Sequence, residues 1–338
     1  MLSTRYLLHS DYSNKTTRMR KDKISYIFVG LALLACLCVS CNKKRKDGRT
    51  DTYSSGVISF ASDESFSPII EEEREVFESS HVDATLKPIY TNESDAINML
   101  LKGKICLAIT ARDFKENERQ NLRDRNFNPR ATAIAYDALA LIVNNANNDT
   151  CISVKDIANI LSGKSTKWSD IYPNSKRGDI VVVFDNKKSS TVHFAEDSIL
   201  GGKPITSPNV VATKKTADVI DYVEKTPNAI GIIGSNWLND KRDTTNLTFN
   251  KNIRVMSVSR IDKATPANSW KPYQYYIYNG NYPLTRTIWA LLNDPLRGLP
   301  WGFFNFLTSP KGQMIIFNAG LLPVQGNITV RDVRVTDD

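Results

Sequence analysis

Histidine and cysteine are scarce in this 338-residue chain, with three of the first and five of the second. Beyond residue 50 only His81, His193, Cys106 and Cys151 remain, and no pair of them has metal-ligand spacing, so neither a metal nor a cofactor is expected. No G-x-S-x-G occurs, and Ser162-Gly163-Lys164 lacks the glycine spacing that wraps phosphates. The sequence therefore offers little to an enzyme, and a phosphatase-like hydrolase acting through Ser190 stands only as an alternative. Net charge is missing too. Residues 1–50 hold 11 Lys plus Arg against 3 Asp, and the other 33 basic and 33 acidic residues cancel. A neutral folded part excludes a general case for nucleic acid as partner. Cys106, in the apolar run ICLAIT, reads as a small buried hydrophobe; a bridge to Cys151 stays open.

The basic excess surrounds the one long apolar run. Arg18, Arg20, Lys21 and Lys23 precede Ile24–Val39, which is short for a membrane span and fits a signal-peptide core, with Met19 as an alternative start. The run ends in Cys38-Val39-Ser40-Cys41, followed by Asn42-Lys43-Lys44-Arg45-Lys46. This resembles a bacterial lipoprotein's lipobox, with Leu33-Leu34-Ala35-Cys36 as a competing match. The resemblance implies lipidation at Cys41, a leader over 1–41, and a membrane anchor facing the bacterial periplasm. Residues 42–55 are polar without periodicity and read as a tether.

Alternating strands and helices follow. Val57–Ala61 reads as a strand, then Ser62–Ser67 as a hydroxyl-rich loop, then a helix opened by Ser67-Pro68 with Ile69, Ile70, Val76 and Phe77 at helical spacing. Ala84–Tyr90 and Ile105–Thr110 read as strands on either side of a helix over Asp95–Lys102. A parallel α/β sheet gathers its loops at the strands' carboxyl ends, which puts Arg112 at the same rim. There it would bind an oxyanion or pair with Asp113 or Glu116. RATAIAYDALALIV, from Arg130, reads as a buried strand crossing between domains. In VVVFDNKKSSTVHF, Val181–Phe194, a strand ends in Ser189, Ser190 and Thr191 at a helix start, where amides and hydroxyls can converge on one anion or simply cap the helix. Farther on, Tyr275–Tyr278 reads as a strand and Thr285–Leu292 as an amphipathic helix bearing Trp289.

Several of these stretches resemble phosphate-binding proteins of bacterial ABC transporters. ILSGKSTKWSDI, residues 160–171, is the most specific; IAYDALA from Ile134, Ser189-Ser190-Thr191, AIGIIG from Ala229 and Tyr282-Pro283-Leu284-Thr285-Arg286 resemble the family in the same order. The resemblance covers about Val57 to Val324. It implies a two-lobed α/β periplasmic-binding-protein fold (type II) closing over one ligand, with lobe 1 over 56–140 plus 240–335 and lobe 2 over 141–239. It also implies a monomer that performs no chemistry, captures inorganic phosphate and delivers it to a membrane permease.

Carried over residue by residue, the site would be Ser65-Phe66 in the first loop and Ser189-Ser190-Thr191 in the second, with Ser190 in a glycine place. Two positions depart from the family. Asp185 stands where a phosphate-pairing Arg is usual, and Arg112 where an acceptor Asp is usual. A phosphate pocket then requires the exchanged charges to meet, Arg112 binding and Asp185, or Asp63, accepting the proton of hydrogen phosphate. The departure also supports a non-transport lipoprotein that senses another anion or small molecule.

Overall fold

The computed structural model describes residues 48–238 and 253–326. The leader, Cys41, residues 42–47 of the tether, and residues 240–252 and 327–335 assigned to lobe 1 lie outside them. One compact unit spans Asp51–Asp338. Folded structure begins earlier than Gly56, because the buried Asp51 carboxylate accepts the Leu299 amide at 2.7 Å.

The first half of the unit is built from β1 (Gly56–Asp63), α1 (Ser67–Ser80), β2 (Ala84–Thr91), α2 (Glu93–Leu101), β3 (Leu107–Thr110) and α3 (Glu116–Asp124). β4 (Arg130–Asn144) then crosses into the second half, which holds β5 (Cys151–Ser153), α4 (Val154–Leu161), β6 (Val181–Phe184), α5 (Ser190–Phe194), β7 (Val210–Ala212), α6 (Thr216–Lys225) and β8 (Ala229–Gly234). After β9 (Ile253–Val255), β10 (Ser257–Ser259) and α7 (Gln274–Tyr278), the chain returns through β11 (Thr285–Leu292), α8 (Leu299–Leu307), α9 (Pro310–Asn318) and β12 (Leu322–Pro323).

β4 organises both halves. Its residues Arg130–Ala138 pair antiparallel with β11, and Leu139–Val143 pair with β8. Beyond β11, β3 pairs antiparallel and carries β1 and β2 in parallel, and β6 and β7 add in parallel beyond β8, so the strand order is β2-β1-β3-β11-β4-β8-β6-β7. Near-continuous burial of β4 from Ile134, with Tyr136 the exposed exception, follows from helices covering both faces of a mixed sheet. Ile134 and Ala135 join the core of the first half; Leu139, Leu141 and Val143 join that of the second.

Two expectations are corrected. Thr285–Leu292 is a strand, not a helix: Thr285, Thr287 and Trp289 are half-exposed and Arg286, Ile288 and Ala290 buried, a period of two that a charged residue at an inward position conceals. Gln274–Tyr278 is a helical turn despite its β-prone tyrosines, because the Tyr276 and Ile277 amides donate to the Tyr273 carbonyl, so tertiary context overrides propensity. Gly280, at φ +69°, ends that segment. Cys106 and Cys151 are not joined by a disulfide.

Gly231 lies where β8 meets β4 and α6. A Cβ there would stand 2.8 Å from Ile142 Cγ1 and 2.9 Å from both Val219 Cγ1 and Val223 Cγ2. Gly231→Ala should therefore cost about 1–3 kcal/mol by overpacking, read as a lower urea midpoint at unchanged slope.

Candidate functional site

The loops after β1 and β6 meet where the two halves face each other. Each is a strand, a polar turn and a helix start, as the residue pattern predicts. Ser189 caps α5 by accepting the Val192 amide at 3.4 Å. Ser67, by contrast, lies inside α1, whose cap position is Phe66; Asp63 instead caps the preceding short turn. The Ser65 and Ser190 hydroxyls stand 3.2 Å apart across the cleft.

Arg286 is the cation of this site. In the β4–β11 ladder its Cα partner is Asp137, and both side chains are buried, the arginine 5% exposed and the aspartate 0%. Asp137 Oδ2 accepts Arg286 Nε at 3.0 Å and Nη2 at 2.8 Å, while Oδ1 accepts the Ser235 amide at 3.1 Å and its hydroxyl at 2.7 Å. Held on one edge, the guanidinium turns Nη1 to the Ser190 hydroxyl at 2.7 Å and Nη2 to the Ser65 hydroxyl at 3.2 Å. The Phe66 ring lies 4.5 Å below its face, a cation–π contact that a desolvated arginine favours. Close approach also requires Gly234, where a Cβ would come within 2.9 Å of Arg286 Nη2 and 3.0 Å of Asp137 Oδ2. A planar cation fixed on one edge by a carboxylate, with its other edge toward hydroxyls and two helix starts, has the donor geometry that receives an oxyanion.

The sequence-predicted residues separate into two groups. Ser65, Phe66 and Ser190 surround Arg286. Ser189 and Thr191 donate their hydroxyls to Asp185, the first at 2.7 Å. Arg112 is held elsewhere: its Nη1 and Nη2 bind the two Glu118 oxygens at 2.8 and 2.7 Å, and no contact among the described residues joins it to Asp185. Arg286, not Arg112, is the buried arginine beside Ser65 and Ser190. Both Asp137 and Arg286 sit in stretches carrying the family resemblance, yet neither was singled out as a site residue. The register that brings them together depends on taking Thr285–Leu292 as a strand.

Asp63 sits between the two loops. Its Oδ1 accepts the Ser65 amide at 2.9 Å and its Oδ2 the Ser190 amide at 3.0 Å. Burial, and next the nearby Asp185 charge, push its carboxyl up to about 6, against the lowering effects of the Ser65 hydrogen bond and Arg286. Other contacts also span the halves: Glu64 accepts the Thr216 amide and hydroxyl at 3.0 and 2.7 Å, and the Ser65 carbonyl accepts Asn236 Nδ2 and Trp237 Nε1, each at 3.0 Å. A cleft of about 740 Å³, lined in part by Asp63, Glu64, Asp185, Lys215 and Trp237, opens beside this cluster.

The fold is that of a two-lobed α/β binding protein, with the cluster around Arg286 between its halves. The PBP superfamily domain matches residues 47–311, and the chain belongs to that family. The phosphate-binding protein PstS of Staphylococcus aureus strain USA300 is 26% identical over 233 residues, 67% of this chain and 65% of the relative, so the chain spans slightly under two thirds of that protein. Among solved structures, a Clostridium perfringens protein described as a phosphate ABC transporter substrate-binding protein, with bound phosphate, superposes with a TM-score of 0.67 at 21% identity, over 80% of this chain and 100% of that one. An ABC-type phosphate transport receptor of Vibrio cholerae gives 0.59 at 20% identity, over 79% and 100%. Among the described residues no helix is long and apolar enough to cross a membrane.

At the cleft edge His193 Nδ1 lies 2.8 Å from Glu93 Oε2, joining α5 to α2. The Glu93 hydrogen bond raises the His193 pKa, against burial. A folded pKa above the unfolded one adds stability that is complete below the unfolded value of about 6.5 and lost as pH rises through the folded value. The stability difference between the unaltered chain and His193→Gln should therefore be largest below pH 6 and shrink toward pH 8, measured by urea unfolding across that range.

Proposed function

We propose that this chain captures inorganic phosphate between its two lobes and presents it to a membrane permease, held at the envelope by a lipid on Cys41. The observation that carries the reading is Arg286, buried, fixed on one edge by Asp137 and directed at Ser65 and Ser190. A desolvated cation of fixed orientation binds a tetrahedral oxyanion without moving, and the short turn at Ser65 and the helix start at Ser190 place amides beside it. Matches to phosphate-binding proteins support the choice of anion. Phe66 holds the guanidinium plane, and Asp185 sets the hydroxyls of Ser189 and Thr191. Arg112 acts at the rim through Glu118 rather than in the seat.

In this reading the chain is a monomeric binding protein that leaves its ligand unchanged. The second lobe takes in β9, β10 and α7 along with residues 141–239, and the first resumes at β11. Closure of the lobes supplies the contacts that a permease distinguishes. A sensing lipoprotein for another small ligand is the competing reading, and it draws on the carboxylates Asp63 and Asp185 beside a single cation.

Calorimetric titration with phosphate and then sulfate tests the proposal. Phosphate should bind and sulfate bind more weakly, because only the former carries a proton for a carboxylate to accept. Arg286→Gln should weaken phosphate about 10- to 150-fold, the loss of a charge-assisted hydrogen bond of about 1.5–3 kcal/mol. Heat from neither anion, with a folded and stripped protein, would turn the search to the sensing reading.

A further inference from the structure

The two amides best placed to receive an anion already serve a carboxylate of the same chain. Asp63 Oδ1 and Oδ2 accept one each, from Ser65 in the first half and Ser190 in the second. Asp63 is fully buried. Its charge has no direct ion pair among the described residues; Arg286, whose charge acts on it, is already engaged by Asp137. The other charged groups that face it are Asp185 and His193 from the second half and Glu64 and Glu93 from the first. Most of these are acids. A dianion entering beside an ionised Asp63 would meet a like charge at hydrogen-bond range in a desolvated site, the arrangement that most strongly favours protonation of one partner.

We propose that Asp63 is an internal competitor for the anion seat, and that phosphate enters only as Asp63 takes up a proton and releases its hold on the Ser65 and Ser190 amides. The proton comes from solvent and rests on an Asp63 oxygen; the phosphate oxygens take over the freed amides and the hydroxyls around Arg286. No covalent bond changes. Asp63 then acts on capture in two ways. Its protonated form donates to the bound anion, leaving Asp185 as the carboxylate that accepts phosphate's own proton, and its ionised form excludes anions that cannot meet two amides and a guanidinium together. Capture becomes coupled to pH: the carboxyl lies near 6 in the absence of anion, and a bound anion raises it further. This inference rests on the phosphate reading above and adds to it a proton taken up with the ligand.

The test is calorimetric titration of the purified protein with inorganic phosphate, in pairs of buffers with different ionisation heats, between pH 5 and 8. Near pH 7.5 the unaltered protein should take up about one more proton per phosphate than Asp63→Asn, and the excess should vanish at pH 5. Over the same range the ratio of the two affinities, which cancels phosphate's own titration, should change about tenfold per pH unit above 6, with Asp63→Asn the tighter binder at pH 8. Should the variant fail to fold, proton exchange by the unaltered protein at pH 6 decides the matter. Phosphate there is nearly all monoanion, which on binding either keeps its proton or gives up about one, so a net exchange of about half a proton, in either direction, belongs to the protein. Equal uptake by both proteins, an exchange at pH 6 of about zero or about one whole proton, or weaker binding by Asp63→Asn at pH 8 would overturn the role given to Asp63 while leaving phosphate capture intact. Absence of phosphate binding by both proteins at every pH would overturn the capture reading and this inference with it.

Discussion

The desolvated pair Arg286–Asp137 is the interaction on which the arrangement of the site depends. A guanidinium in a sheet interior is costly unless its donors are met, and here four of its hydrogen bonds go to Asp137, Ser190 and Ser65. Asp137 is met in turn by Ser235. The pair joins strands β4 and β11 of the first half to the Ser235 turn and the Ser190 helix start of the second. One ion pair thus both fixes the buried arginine of the candidate site and marks where the halves register. Both Asp137 oxygens are taken, one by Arg286 and one by Ser235.

Around that pair the sheet acts as a ruler. Antiparallel register sets Arg286 opposite Asp137, and the shift of β4 partner from β11 to β8 at Leu139 sets Gly234 and Ser235 beside them. Helix starts then bring amides from both halves to one point. Further cross-half contacts, Glu64 to Thr216, Glu93 to His193 and the Ser65 carbonyl to Asn236 and Trp237, flank this point. In the proposed capture, the acids gathered at this point are what would couple the anion to proton uptake.

Much of this was visible in residue patterns. The β1 and β6 loops, the crossing strand β4 and Ser190 follow from local rules, apolar runs that end in hydroxyl clusters at helix starts, whereas Ser65 and Phe66 were marked by the family resemblance. Arg286 did not. An arginine at an inward strand position breaks the alternation that marks a strand, and TRTIWALL then resembles an amphipathic helix. Without the strand there is no register, and without register nothing links residues 137 and 286. Arg112 failed for the opposite reason. Its place at the rim was inferred from chain order, but a carboxylate six residues on, Glu118, satisfies it at short range. Long-range pairing decides which charge is buried, and single-sequence patterns report mainly local pairing.

The most direct test is a crystal structure of the protein grown with arsenate, a phosphate-shaped anion whose arsenic is located by anomalous scattering. The account predicts one arsenic between the halves, with oxygens within hydrogen-bond reach of Arg286 Nη1 and of the Ser65 and Ser190 amides, and Arg286 still held by Asp137. An arsenic seated on Arg112 or away from Arg286, in a chain that still buries the Arg286–Asp137 pair, would contradict it.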